Sequence, residues 1–168
     1  SAYPLDHYRE TGWKMGYDPH PLFSTKHYLA TQDTDVPADP LSHFAEIGQW
    51  QGAWTHPLLD KPDPASKMDA AALRRHPLLA YLDGPWPAAR PIAQRFDDKG
   101  YIARRPGSLE SKSAPLAHYL VYGWREGKWP RLDFDPARYA KLLKLDPAQE
   151  PYTWFVQQLD QSLRREAS

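Results

Sequence analysis

The sequence predicts an all-α fold: an array of short helix pairs, about four degenerate repeats of 36–38 residues, closed by a longer C-terminal helix. Three observations lead there. Prolines recur at Pro4, Pro40, Pro77, Pro115 and Pro151, with gaps of 36, 37, 38 and 36 residues. Three of them open one phrase: Pro4-Leu5-Asp6-His7-Tyr8 with Gly12-Trp13 and Gly16, Pro40-Leu41-Ser42-His43-Phe44 with Gly48 and Gly52, and Pro115-Leu116-Ala117-His118-Tyr119 with Gly123-Trp124 and Gly127. A second phrase follows at 23, 59, 96 and 134: Phe23-Ser24 with Tyr28, Leu59-Asp60, Phe96-Asp97 with Tyr101, and Phe134-Asp135 with Tyr139. A fixed period in this range is the mark of a repeat architecture, in which a recurring residue usually serves to build the unit.

The first helix of a unit is set by its ends. In residues 39–48, Asp39 is placed to cap the first free N–H groups, and Pro40 sits at the first helical position, where a missing N–H costs nothing. Leu41, Phe44 and Ile47 are expected on one face, and the glycines are read as positive-φ positions that close the helix. A helix this short is unstable alone, so its apolar face must be covered by neighbours. The second helix starts at the N-caps Ser24, Asp97 and Asp135, with Pro136 again first in its helix. The units run 4–39, 40–76, 77–114 and 115–150 within a single domain, with a cap over 151–168. The third is degenerate: Ala80 replaces the histidine, and its turn is Gly84-Pro85-Trp86-Pro87. A replacement helix is expected over 68–75. In the cap, Tyr152, Phe155, Val156, Leu159 and Leu163 predict a longer amphipathic helix, as terminal repeats often show. No β-sheet of consequence is expected.

Composition narrows the function. The formal net charge is zero, which argues against non-specific nucleic-acid binding. The balance is uneven: residues 1–60 hold three Lys/Arg against eight Asp/Glu, and residues 61–168 hold eighteen against thirteen. That asymmetry reads as a solvated surface, or as a polar contact between the two ends or between copies. There is no cysteine, so disulfides, thiolate metal sites and a cysteine nucleophile are excluded. No apolar run reaches the roughly 18–20 residues of a membrane span, and no signal peptide opens the chain, so the expected location is cytoplasmic. The chain starts inside a repeat and reads as a piece of a larger protein.

Among candidate residues, His7, His43 and His118 share one repeat position. Successive units lie too far apart for three such rings to reach one metal, and the residues four further on are Thr11, Ile47 and Tyr122, which are not partners for it. They are read as structural histidines, bonded to backbone or wedged between units; pH sensing or binding is the other reading. No metal or cofactor is expected. Gly12, Gly16, Gly48, Gly52, Gly123 and Gly127 lack the strand and Gly-Lys-Ser/Thr of a phosphate loop. Trp13 and Trp124 recur at one position and are read as packing anchors. Trp54 and Trp129 lie beyond the second glycine, in the turn, and are the candidates for ligand contact, because an aromatic face stacks on a sugar ring. No carboxylates or nucleophile–base pair converge in sequence, so catalysis within the chain is not expected.

The pattern Pro-Leu-x-His-Tyr-x-x-x-Gly-Trp-x-x-Gly followed by Phe-Asp-x-x-x-Tyr, carried best by 115–135 and 4–29, resembles repeats of bacterial proteins that bear glycosyltransferase domains for surface-polysaccharide assembly, rhamnan-synthesis proteins among them. The resemblance covers about two thirds of the chain. It implies a non-catalytic scaffold or docking module, with a glycosyltransferase domain in the same protein or complex as partner. The alternative is a carbohydrate-binding module that holds polysaccharide through exposed tryptophans.

Overall fold

The computed structural model describes residues 4–61, 76–84, 92–104 and 114–167. The described chain is mostly helical. Among the described residues, extended pairing is limited to two isolated bridges, His20 with Phe23 and Arg131 with Phe134. The expected helix over 68–75 and the turn residues Pro85, Trp86 and Pro87 lie outside the described residues. The chain forms two compact bodies, Ser1–Tyr81 and Leu82–Ser168.

In the first body, α1 (Pro4–His7) runs into a π-helical turn, Tyr8–Gly12. Helix α2 is Thr25–Ala30, and α3 (Pro40–His43) again runs into a π-turn, Phe44–Gly48. Helix α4 (Pro77–Asp83) begins at the body's end. The second body holds α5 (Asp98–Ala103), α6 (Pro115–His118) with its π-turn Tyr119–Gly123, α7 (Pro136–Leu143) and α8 (Pro151–Glu166). The capping residues act as their chemistry dictates. Ser24 Oγ accepts the His27 N–H at 3.3 Å, Asp39 the Ser42 N–H at 2.9 Å, and Asp97 the Gly100 N–H at 2.9 Å. Asp135 accepts from Ala137 and Arg138.

The π-turns change which residues face inward. Each is closed by an N–H reaching back five residues: Trp13 to Tyr8, Gln49 to Phe44 at 2.8 Å, and Trp124 to Tyr119. The wider turn buries pairs four apart, namely Tyr8 and Gly12, Phe44 and Gly48, Tyr119 and Gly123. Ile47, expected beside Phe44, is 42% exposed, because an extra residue per turn rotates it off that face.

The two glycines of each phrase differ in kind. Gly16, Gly52 and Gly127 have φ of 80°, 66° and 70°, the left-handed conformation expected of a helix-closing residue. The following N–H groups, of Tyr17, Ala53 and Lys128, bond to the carbonyls of Gly12, Gly48 and Gly123. The first glycines depart from that expectation. Gly12, Gly48 and Gly123 are not among the positive-φ residues, and they serve by having no side chain. A Cβ on Gly48 would sit closer than 3.0 Å to the Tyr28 hydroxyl oxygen, and one on Gly123 would meet that of Tyr101. Gly12 has no such neighbour; its nearest atoms would lie at 3.4 Å.

The core of the first body is Phe23, Tyr28 and Phe44, with Leu41, Ala53 and Leu79 packed around them. The Phe23 ring lies 4.9 Å from Tyr28 and 5.6 Å, edge-on, from Phe44. In the second body Phe96 and Tyr101 take the corresponding places at 5.2 Å, and the aromatic chain continues through Tyr119, Tyr152 and Phe134. Helix α8 buries Tyr152 and Val156, while Leu159 and Leu163 are 40% and 52% exposed. At 16 residues α8 is twice as long as α7, so its last turns outrun the helix it packs against.

Replacing Gly48 or Gly123 by alanine is therefore expected to destabilise the chain by about 1–3 kcal/mol, the usual cost of overpacking. Gly12→Ala is expected to be neutral, or stabilising by up to about 1 kcal/mol, since alanine is the better helix former. Urea unfolding of the three variants checks the contrast.

Candidate functional site

The recurring polar residues converge on one contact, present once in each body. A tyrosine from the second helix of one sequence unit reaches the histidine of the next. Tyr28 on α2 bonds through its hydroxyl to His43 Nδ1 on α3 at 2.8 Å, and Tyr101 on α5 to His118 Nδ1 on α6 at 2.8 Å. The rings meet edge-on or tilted, with centroids 5.9 and 6.0 Å apart. Both phenols are buried, and burial pushes the Tyr28 pKa up to about 12, so the hydroxyl stays protonated. Around each contact two further bonds recur at matching positions. The N–H of the capping residue bonds to a turn carbonyl, Ser24 to Thr55 at 2.8 Å and Asp97 to Pro130 at 3.2 Å. The residue three beyond each tyrosine bonds to a tryptophan carbonyl, Thr31 to Trp54 at 3.3 Å and Arg104 to Trp129 at 3.4 Å.

His43 and His118 are thus half-buried, and each is bonded to a tyrosine side chain. His7 is exposed and stacks loosely on Tyr17, with ring centroids 6.3 Å apart. Tyr8, beside it, is buried and bonds to Thr25 Oγ1 at 2.8 Å. The tryptophans divide unevenly. Trp54 is half-buried; its indole N–H donates to the Leu59 carbonyl at 2.8 Å, and its ring lies edge-on to His27 at 4.4 Å. Trp129 is 39% exposed. Trp13 and Trp124 are half-buried, outside the core, and carry cations: Lys14 Nζ lies 5.6 Å and the Arg125 guanidinium 4.7 Å from the ring centres. Trp50 is 63% exposed.

A second set of histidines went unread in the sequence, although the tripeptide His-Pro-Leu marks it three times, at 20–22, 56–58 and 76–78. In each the ring Nδ1 accepts the N–H two residues on, at 3.1, 3.1 and 3.2 Å. A ring that accepts at Nδ1 is neutral and carries its proton on Nε2; that of His76 donates to the Ala53 carbonyl at 3.0 Å. Burial lowers the pKa of all three. His56 falls to about 3, with His27 and His20 adding repulsion.

In the second body, Gln94, Phe96, Asp97, Arg131, Leu132 and Asp133 line an open cleft of about 410 Å³. Its charged residues are paired: the Arg131 guanidinium bonds Asp133 at 2.8 and 3.0 Å, and Asp97 lies 3.4 Å from the Arg104 guanidinium. Among the described residues, no group of three or more His, Asp or Glu side chains is placed to hold a metal ion. Nor is any described helix long and apolar enough to cross a membrane. No protein-family model, curated protein or solved structure matches the chain.

Two predictions follow from these contacts. Tyr28→Phe and His43→Phe should each lower stability by about 1–2 kcal/mol, and a double-mutant cycle should return a coupling of at least about 0.5 kcal/mol. Additive losses would mean that the contact carries no energy. For the His-Pro turns, the folded state keeps neutral three imidazoles that the unfolded chain protonates below pH 6.5. Their stabilisation is complete above that pH and is lost as pH falls toward the depressed folded values. The unfolding free energy should therefore hold level from pH 8 to 7 and fall between 6.5 and 5, by at most about 1.4 kcal/mol per pH unit per histidine, and the thermal midpoint should fall with it. His56→Asn, whose side-chain oxygen accepts the same N–H without titrating, should flatten that slope.

Proposed function

We propose that the chain is a helical-repeat array and works as a non-catalytic scaffold or docking module beside a glycosyltransferase of bacterial surface-polysaccharide assembly. The observation that carries the repeat reading is the matched geometry of Tyr28–His43–Gly48 and Tyr101–His118–Gly123, with the same flanking backbone bonds in both places. Within each body these recurring histidines and glycines are taken up in joining one sequence unit to the next, which is the economy of a scaffold: residues spent on architecture rather than on chemistry. The polysaccharide setting rests on the resemblance of the Pro-Leu-x-His-Tyr phrase to repeats in such proteins.

A second reading, glycan binding, is favoured by the exposure of Trp129, 39%, and Trp50, 63%. Trp54 supports it less, since its N–H is already bound to the Leu59 carbonyl.

One pair of titrations separates the two. Under the scaffold reading, the glycosyltransferase domain of the same protein or operon binds the immobilised chain saturably, and polysaccharide fragments leave its tryptophan fluorescence unchanged. Under the glycan reading, fragments quench that fluorescence saturably and Trp129→Ala abolishes the quenching. Failure of both titrations overturns both readings.

A further inference from the structure

The three phrases that carry the His/Gly pair do not present it in the same state. Pro40 and Pro115 are buried, Leu41 is half-buried and Leu116 fully buried, because α2 and α5 lie against them. Pro4 is exposed and Leu5 is 49% exposed. The machinery beneath them is nonetheless complete. The π-turn Tyr8–Gly12 is formed, and His7 Nδ1 lies 3.5 Å from where a Gly12 Cβ would sit; Gly12 is buried, with the ring of the exposed Tyr17 over it, Cδ2 3.4 Å from that point. Over Gly48 and Gly123 the corresponding place is filled by the hydroxyls of Tyr28 and Tyr101, so a hydroxyl arriving over Gly12 has to displace the Tyr17 ring.

Polar placement agrees. Arg9, on the first π-turn, bonds through its guanidinium to Ser42 Oγ on α3 at 2.8 Å and lies 3.7 Å from the cap Asp39. Asp6 stands at Ser42's position in the first phrase, exposed, so a basic residue arriving from a preceding unit meets a carboxylate.

We infer that the face formed by Pro4, Leu5, His7 and Gly12 is an acceptor for one further unit of the same kind, whose second helix carries a tyrosine four residues after its N-cap and delivers that hydroxyl to His7 Nδ1. The inference rests on the repeat reading above. The occupant is a unit with an uncovered second helix, and not a second copy of this chain. The last such tyrosine here, Tyr139, is already covered by α8, its ring 5.1 Å from Phe155 and 6.3 Å from Trp154.

The test appends a copy of residues 4–39 directly ahead of Pro4, so that the copy's Asp39 precedes Pro4 as Asp39 precedes Pro40 in the chain itself. Gly12→Ala, at the original Gly12, is then made in the parent and in the extended chain. Docking predicts little change in the parent, and in the extended chain a urea midpoint lower by roughly 1 M, matching Gly48→Ala. It also predicts that the His7 Nδ1 resonance in the extended chain shifts, and that Tyr28→Phe in the appended copy reverses the shift. Equal effects of Gly12→Ala in both chains, with Gly48→Ala destabilising, overturn the docking and leave the repeat reading standing. A harmless Gly48→Ala overturns both.

Discussion

A tyrosine hydroxyl buried between two helices needs a partner for its proton and room for its oxygen, and in this chain both come from the same neighbouring helix. The imidazole one turn before the glycine supplies the partner, and the missing Cβ supplies the room. Either alone leaves the ring outside: a histidine with alanine behind it blocks the oxygen, and a glycine with no histidine strands a polar atom in an apolar core, at about 1–3 kcal/mol. The π-turn belongs to the same constraint, because it carries Gly48 and Gly123 to the buried face beside Phe44 and Tyr119.

Helix α8 is the internal control. It opens with proline like α1, α3 and α6, but Trp154 stands at the histidine position and Leu159 at that of the first glycine. No hydroxyl is admitted, no π-turn forms, and the helix runs on for 16 residues. Tyr139 instead packs its ring against Trp154 and Phe155. The start of α8 is fixed another way. Glu150 accepts the N–H groups of Tyr152 and Thr153 at 2.7 Å each and takes the hydroxyl of the buried Tyr119 at 2.7 Å. Further along, Arg95 pairs with Asp160 at 2.8 Å. The degenerate third phrase fits the same logic. Ala80 replaces its histidine, and Pro64 stands where the preceding tyrosine is due, so donor and acceptor are missing together.

Much of this was legible in the sequence because it follows from local chemistry. The helix starts at Pro40, Pro115 and Pro136, the caps Asp39, Asp97 and Asp135, and the left-handed closures at Gly16, Gly52 and Gly127 need only a few neighbouring residues to specify them. The role of Gly48 and Gly123 was not legible, since it depends on a ring from 20 or more residues away, Tyr28 or Tyr101. The exposure of Ile47 was hidden for a related reason: counting threes and fours assumes an α-helical turn, and these turns are wider. The histidines of the His-Pro-Leu turns were visible as a tripeptide, but their buried, neutral state depends on the packing around His56 and His76.

The division of one polar joint between consecutive segments bears on how such a chain can lengthen or shorten. A duplication of residues 4–39, with one breakpoint ahead of His7 and the other between Tyr28 and His43, would set Tyr28 of one copy before His7 of the next and so supply both partners at the new seam. A deletion that removes one partner and spares the other leaves a seam that cannot close. If the chain is the repeat array proposed above, growth by whole periods, with loss of both partners or of neither, is what this joint permits.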